Sequence, residues 1–339
     1  MTQRDPCTAP RATATLLLSV VIATHNRITL LSRNLDGLGQ QSLAHDRFEV
    51  IVVDDGTLES DAVAAACARA DTPIRLIRHE QARGPAAARN AGWRAARATA
   101  VLFLDDDAVP DGELLRLVSS VLAERGHAIA GVEGQVVPDD WQAADASPFV
   151  ITLRTAGGGH TCNIAYWVSA LADVDGFDEA FPHAIGEDYD LAYRVQRQVG
   201  PIIYDGRLLA RHAVHGVRGA RVGWRQRRMA RPSLIRLFLK HPDRFPPPFA
   251  PAFARPTIAR VLDRPSIAAI VACFVLQNLV AAFAARRFLR KCPLEYAKWL
   301  MFLASDCVSI VWELPQLIAC HRAVAVQFPV GTAHGRTLS

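Results

Sequence analysis

The chain has 339 residues, half of them hydrophobic, and a formal net charge of +5. At roughly 100–200 residues per domain that length means one large domain with an appendage, or two domains, and the composition excludes a disordered chain. The seven cysteines (Cys7, Cys67, Cys162, Cys273, Cys292, Cys307 and Cys320) include no CxxC pair, which argues against a disulfide framework or a zinc ribbon and fits a reducing compartment.

Residues 1–15 read as a loose polar tail. The apolar run Leu16–Ala23 is short and continuous, and the Thr24-His25-Asn26-Arg27 that follows is no small-residue cleavage site; it reads as a buried strand. Ile28–Leu38 has helical spacing. Phe48–Val53 is a second strand, ending in Asp54-Asp55-Gly56, and a helix is expected at about Asp61–Arg69. Ile74–Arg78 is a third strand. Gly84-Pro85 opens an Ala-rich helix, Ala86–Ala98, and Val101–Leu104 is a fourth strand, ending in Asp105-Asp106-Asp107. Such alternation predicts an α/β fold with a mostly parallel, doubly wound sheet, whose ligands sit beyond the carboxyl ends of the strands. The polar residues stand at those ends.

A helix is expected at Glu113–Glu124, then a less regular segment to about Ser147. Gly157-Gly158-Gly159 and Gly176 mark turns, Glu187 opens a helix, and strands are expected at Pro201–Tyr204 and Leu208–His212. This places a catalytic domain at 16–240. Residues 241–265 are rich in proline, with Pro246-Pro247-Pro248, and read as a linker. Residues 266–321 are expected to form apolar helices. Ile267–Ala285 is nineteen residues without a formal charge, followed by Arg286, Arg287, Arg290 and Lys291; it is just long enough to span a bilayer. Trp299–Ile318 contains Asp306 and Glu313 and is a poor spanning helix. Contact with a membrane is expected, the alternative being a helical hairpin packed on the catalytic domain. Residues 322–339 are a tail. From Arg211 to Arg244, ten Arg/Lys face one acid, Asp243, a stretch suited to phosphates, a nucleotide or a membrane surface.

Four constellations carry chemistry. In LFLDDDAVP, three carboxylates after a buried strand are costly unless a cation binds them. Mg²⁺ or Mn²⁺ takes oxygen ligands, commonly one or two carboxylates plus substrate phosphates. Asp107 is assigned to the metal; Asp105 faces a ribose or stands behind the direct ligands. In VIVVDDGT, Asp54 and Asp55 are placed to accept hydrogen bonds from a ribose or a base, with an Asx-type turn as the alternative. In GPAAARNAGWRAA, Arg89 meets either a nucleotide or the neighbouring aspartates, and Gly92 permits close helix–sheet packing. In GEDYDLAYRV, Glu187 and Asp188 open a helix, where a carboxylate makes a sensible general base, and Asp190 and Arg194 are spaced to pair. His212, with His215 as a rival, is placed to complete a metal shell.

Taken together, SVVIATHNR, FEVIVVDDGT, GPAAARNAG, LFLDDDAVP, DVDGFDEAF and GEDYDLAYRV resemble, in order, the motifs of family 2 glycosyltransferases, inverting enzymes of the GT-A fold. The resemblance covers about Leu16 to His212. It implies that Ala23, Thr24 and Arg27 line a nucleotide pocket, with Asp54, Asp55, Arg89, Asp105 and Asp106. Asp107 and His212 would hold Mg²⁺ or Mn²⁺, Asn163 with Cys162 would shape the donor-sugar and acceptor pocket, and Asp188, beside Glu187, would be the base. The partner it implies is a nucleotide-sugar donor, with no nucleic acid; the apolar C-terminal segments point to a glycan or lipid-linked acceptor at the cytoplasmic face of a membrane. Arg218–Arg231 would be a cationic loop closing on the diphosphate. Three departures stand out: Asp175 where glycine is common, the run Gly157–His160, and the C-terminal pair of apolar segments, which is not part of the core pattern. The rival readings are a nucleotidyltransferase, which lacks its Gly-rich, Lys-bearing loop here, and a non-catalytic nucleotide-sugar-binding protein.

Overall fold

The computed structural model describes residues 15–140, 159–181 and 183–214, with seven further positions between 233 and 244. The expected linker, the apolar segments at 266–321, both tails, His215 and the Arg218–Arg231 loop lie outside the described residues. The chain divides into two units, residues 1–178 with 188–217, and residues 179–187 with 218–339.

The first unit is built on one eight-stranded sheet of order β3-β2-β1-β4-β7-β6-β8-β5. Its strands are β1 (Leu18–Thr24), β2 (Phe48–Asp55), β3 (Ile74–His79), β4 (Ala100–Asp105), β5 (Ala108–Pro110), β6 (Gly131–Pro138), β7 (Asn163–Trp167) and β8 (Ile202–His212). The helices are α1 (Ile28–Gly39), α2 (Ser60–Arg69), α3 (Pro85–Arg94), α4 (Leu114–Arg125), α5 (Val168–Asp173) and α6 (Glu187–Gln198), with a 3₁₀ turn at Gly126–Ala128. Among the described residues no helix is long and apolar enough to cross a membrane.

The continuous apolar strands are explained by burial on both faces. Successive side chains alternate across β1: Leu18, Val20 and Ile22 join Leu31, Leu35, Leu115 and Val118 of α1 and α4. Val21 points to the other face, with Ala88 and Trp93 of α3 and Leu191 and Val195 of α6. One tight approach is at Gly92, as its sequence context suggested: a Cβ there would overlap Val21, so α3 can lie this close only without a side chain.

The sheet is mixed, with four of its seven pairings parallel, as the expected mostly parallel sheet requires. β3, β2, β1 and β4 pair in parallel, but β7 runs antiparallel to β4 and β6, and β5 antiparallel to β8. The strand–helix alternation that signals parallel pairing stops at Asp107. β6 was hidden because Glu133 and two glycines interrupt its apolar pattern; a Cβ on Gly131 would overlap the Ala165 carbonyl, and one on Gly134 the Asn163 amide and the Leu208 carbonyl. The two strands expected at 201–204 and 208–212 are one. β8 pairs with β6 in parallel, with a register shift that takes Gly134 opposite Asp205 and Gln135 opposite Leu209. Asp205 closes this bulge by accepting from Arg207 N–H.

In the second unit, the Arg236 guanidinium and the Lys240 ammonium lie 5.5 and 5.6 Å from the Phe181 ring centroid. Gly186 takes a positive φ of 93° just before α6 begins.

Candidate active site

The parallel register sets the carboxyl ends of β1, β2 and β4 side by side: Thr24 lies opposite Asp54, and Ala23 opposite Asp105. Beyond β4 the chain turns through Asp106 and Asp107 into β5, which pairs with β8 so that Ala108 faces His212. Asn34 of α1, fully buried, holds this turn by donating to the carbonyls of Asp105 (3.0 Å) and Ala108 (2.6 Å). Ala213 N–H donates to the Asp107 carbonyl at 2.8 Å.

Asp105, Asp107 and His212 each offer one ligand atom within 4.8 Å of the others. His212 Nε2 is 3.1 Å from Asp107 Oδ1, and its Nδ1 is 3.1 Å from the Ala213 carbonyl. With Nδ1–H donated to that carbonyl, Nε2 presents its lone pair toward a carboxylate oxygen. Two acceptors at that separation need a proton or a cation between them. Burial disfavours the charged imidazole, but the Asp107 hydrogen bond and charge outweigh it and raise the His212 pKa. Two carboxylates and an imidazole fit a hard or borderline divalent cation, and the carbonyl behind Nδ1 is the support that ligating histidines have. The structure therefore sets Asp105 beside Asp107 as a third candidate ligand.

Asp106 turns away from this group. It accepts from Thr24 Oγ1 (2.8 Å) and Arg27 Nη1 (3.0 Å). Burial and the neighbouring Asp107 push its carboxyl up to about 6, against the pull of Arg27. Arg27 Nη1 also reaches Asp107 Oδ2 at 2.8 Å. Arg89 is buried and donates to Asp105 Oδ1 at 2.9 Å, so of its two expected partners the aspartate is present. Ala23 is partly buried at the end of β1.

The two aspartates of β2 are engaged within the protein. Asp54, buried, accepts from Thr57 N–H and pairs with Arg78. Asp55 accepts from His79 Nδ1 (2.7 Å) and Arg83 N–H (2.9 Å) on one oxygen and from Gly84 N–H (2.8 Å) on the other, which fastens the start of α3 to β2. Asn163 donates to the carbonyls of Gln135 (3.0 Å) and Leu208 (2.8 Å), bridging β6 and β8 across the register shift. Its buried Oδ1 has no hydrogen-bond partner among the described residues. Cys162 is buried; burial raises its thiol pKa well above the ordinary value, and Asp105, Asp188, Glu133 and Asp107 push the same way. A thiol whose pKa is raised in this way is a poor nucleophile.

Asp188 sits on the first turn of α6, one residue after the buried Glu187. Its Oδ1 accepts from Tyr189 N–H at 2.8 Å. Burial raises its pKa, opposed by the charges of His160 and Arg89 and reinforced by Asp105. The Asp105 end of the triplet and the start of α6 thus share one electrostatic neighbourhood. The Asp190–Arg194 pair expected on α6 is present at 2.8 Å, and Arg194 also donates to the carbonyls of Val174 and Gly176.

Three site residues escaped the sequence analysis: Glu133, His160 and Tyr189. Glu133 Oε1 accepts from both the backbone N–H (2.9 Å) and Nδ1 (3.0 Å) of His160, whose Nε2 shares a 2.9 Å hydrogen bond with the Tyr189 hydroxyl. A lone glutamate within the apolar context of β6 was the available signal.

Residues 19–158 match the family model described as Glycosyl transferase family 2. The chain is 31% identical over 209 residues to the pre-mycofactocin glycosyltransferase of Mycobacterium tuberculosis, covering 56% of this chain and 43% of that protein. It is 38% identical over 108 residues to the validoxylamine A glucosyltransferase of Streptomyces hygroscopicus subsp. jinggangensis, covering 32% and 25%. The chain thus spans less than half the length of these curated relatives. In fold it is similar to the mannosyltransferase PcManGT from Pyrobaculum calidifontis, solved with GDP-Man and Mn²⁺, with a TM-score of 0.56, 21% identity, and coverage of 95% of this chain and 89% of that one. A second likeness, to S. aureus TarS 1-349, has a TM-score of 0.50 and 16% identity over 94% and 93% of the two chains. The eight-stranded mixed sheet flanked by helices is the GT-A arrangement that the motifs implied. Through residues 19–158, the chain is similar to glycosyl transferase family 2.

Proposed function

We propose that the protein is a metal-dependent, inverting glycosyltransferase that moves a sugar from a nucleoside diphosphate donor to an acceptor hydroxyl. The observation that carries this reading is the Asp105–Asp107–His212 ligand group, whose Asp105 lies within electrostatic reach of a raised-pKa carboxylate, Asp188. Support also comes from the fold shared with a mannosyltransferase solved with GDP-Man and Mn²⁺.

Asp107 and His212, with Asp105, would hold Mn²⁺ or Mg²⁺. When bound, the cation supplies positive charge to a departing diphosphate. Arg27, paired with Asp106 and Asp107, adds a cation at the same place. Asp188 takes the acceptor hydroxyl's proton as that oxygen bonds to the anomeric carbon. The carbon–diphosphate bond breaks on the opposite side, so configuration inverts and the nucleoside diphosphate leaves. A carboxylate with an elevated pKa holds that proton better than an ordinary one, which suits a general base. The acceptor we infer is a glycan or lipid-linked hydroxyl at the cytoplasmic face of a membrane, for which the support is the basic stretch Arg211–Arg244 and the charge-free run Ile267–Ala285.

The test incubates the full chain with Mn²⁺, a panel of UDP-, GDP- and dTDP-sugars and a mixture of glycan and lipid-linked acceptors, and measures nucleoside diphosphate release. Release from at least one donor is expected, lost on chelation and lowered about 10²–10⁴-fold in Asp188→Asn. Donor-dependent thermal stabilisation without release from any donor would instead favour a non-catalytic nucleotide-sugar-binding protein.

A further inference from the structure

The loop before β7 does more than mark a turn. Gly159 takes a positive φ of 70°, and a Cβ there would overlap the Ala192 side chain of α6, so the loop runs flush against that helix. His160 follows. Its backbone N–H and Nδ1 both bond to Glu133, a carboxylate 1% exposed on an inner strand, and its Nε2 bonds to the hydroxyl of Tyr189.

A buried carboxylate in a sheet is weak support for stability, since apolar replacement is often neutral or better. What this one does is orient an imidazole whose far nitrogen reaches the residue next to Asp188. Asp188 needs such help. It lies on the first helical turn, two residues after the Gly186 bend, where a helix has the fewest internal hydrogen bonds to hold its shape. The same Tyr189 whose hydroxyl meets His160 donates its backbone N–H to Asp188 Oδ1.

We propose that His160 is a positioning residue for Asp188: the chain Glu133–His160–Tyr189 ties the first turn of α6 to β6 and so sets the direction of the base. This inference rests on the reading of Asp188 as the general base. Displacing a reacting group by about 1 Å can cost on the order of a hundredfold in rate, so the chain matters to turnover far more than to donor binding.

The experiment uses the full chain with Mn²⁺ and whichever of the UDP-, GDP- or dTDP-sugars turns over, and compares wild type with His160→Asn, His160→Gln, Tyr189→Phe and the His160→Asn/Tyr189→Phe double variant. Asparagine can keep the Glu133 bond but falls short of Tyr189; glutamine spans to it. Each of His160→Asn and Tyr189→Phe is expected to lower kcat by about ten- to a hundredfold with donor KM within about twofold. The double variant should be no worse than the poorer single, as members of one chain are not additive. His160→Gln should recover most of the loss. Should His160→Asn fail to fold, Tyr189→Phe against wild type decides alone. A Tyr189→Phe enzyme with wild-type kcat, while Asp188→Asn is inactive, overturns the positioning role and leaves the glycosyltransferase reading standing. Single losses that multiply in the double variant overturn it as well. A wild-type protein that releases no nucleoside diphosphate from any donor overturns both.

Discussion

Asp107 and His212 are 105 residues apart in sequence yet meet at 3.1 Å, because β5 pairs with β8 immediately beyond the triplet. Removing either should weaken the metal, but not equally. Asp107 also accepts from Arg27, so Asp107→Asn disturbs the ligand and the cation together, whereas His212→Ala removes one neutral donor. Calorimetric titration of Mn²⁺ is expected to show weaker binding in both, with Asp107→Asn the more damaged; equal affinity to wild type in Asp107→Asn would remove it from the ligand set. The aspartate triplet was legible in sequence because its members are contiguous at a strand end, where burial and charge conflict visibly. His160 and Glu133 were not, because their partnership spans 27 residues and exists only once β6 lies beside the loop before β7. Asp54 and Asp55 were legible as a pair at a strand end, but not the engagement of their oxygens with Arg78, His79 and the start of α3.

At the scale of elements, the turn between α5 and α6 carries a local conflict. Asp175 adopts φ 56°, the left-handed region that favours glycine, and glycine is the residue its motif leads one to expect. Among the described residues its side chain makes an exposed contact with Arg94, of a kind worth little. Asp175→Gly is therefore expected to raise stability by a few tenths to about 1 kcal/mol, read as a higher denaturation midpoint in urea; a lower midpoint would mean the Arg94 contact outweighs the backbone strain. A second element-level device is Glu49 of β2, which accepts from Ser19 of β1 and from Arg97 N–H and Nε, joining two strands to the segment before β4. Burial works against its charge, but these hydrogen bonds outweigh it and hold its pKa below the usual 4.5. A carboxyl depressed in the folded state stabilises above its unfolded pKa and loses that stabilisation as pH falls through the folded one. The melting temperature of wild type should thus exceed that of Glu49→Gln at neutral pH, with the gap closing as pH drops below 4.5. A gap that is constant with pH would argue that packing, not charge, is what Glu49 provides.

For the molecule as a whole, the first ninety residues of the sheet could be read from the chain alone because each strand there is a short apolar run buried on both faces and each is followed by a helix. The second half could not. β6 carries glycines where neighbouring carbonyls and side chains press in, β7 is five residues long, and β8 is broken by Asp205–Arg207. The register shift in β8 has a consequence for how the fold tolerates change. Residues 202–205 and 209–212 each keep phase with β6, while Gly206 and Arg207 are exposed between them. The kink acts as slack between scaffold and ligand: length can vary there without being transmitted to the far end. Two residues inserted after Gly206 should leave Mn²⁺ affinity as it was. Deleting Arg211, five residues further on and past the slack, would swing the imidazole to the opposite face of the sheet, because side chains in a strand alternate one by one. Loss of Mn²⁺ binding in that variant, read by calorimetric titration, is the expected outcome.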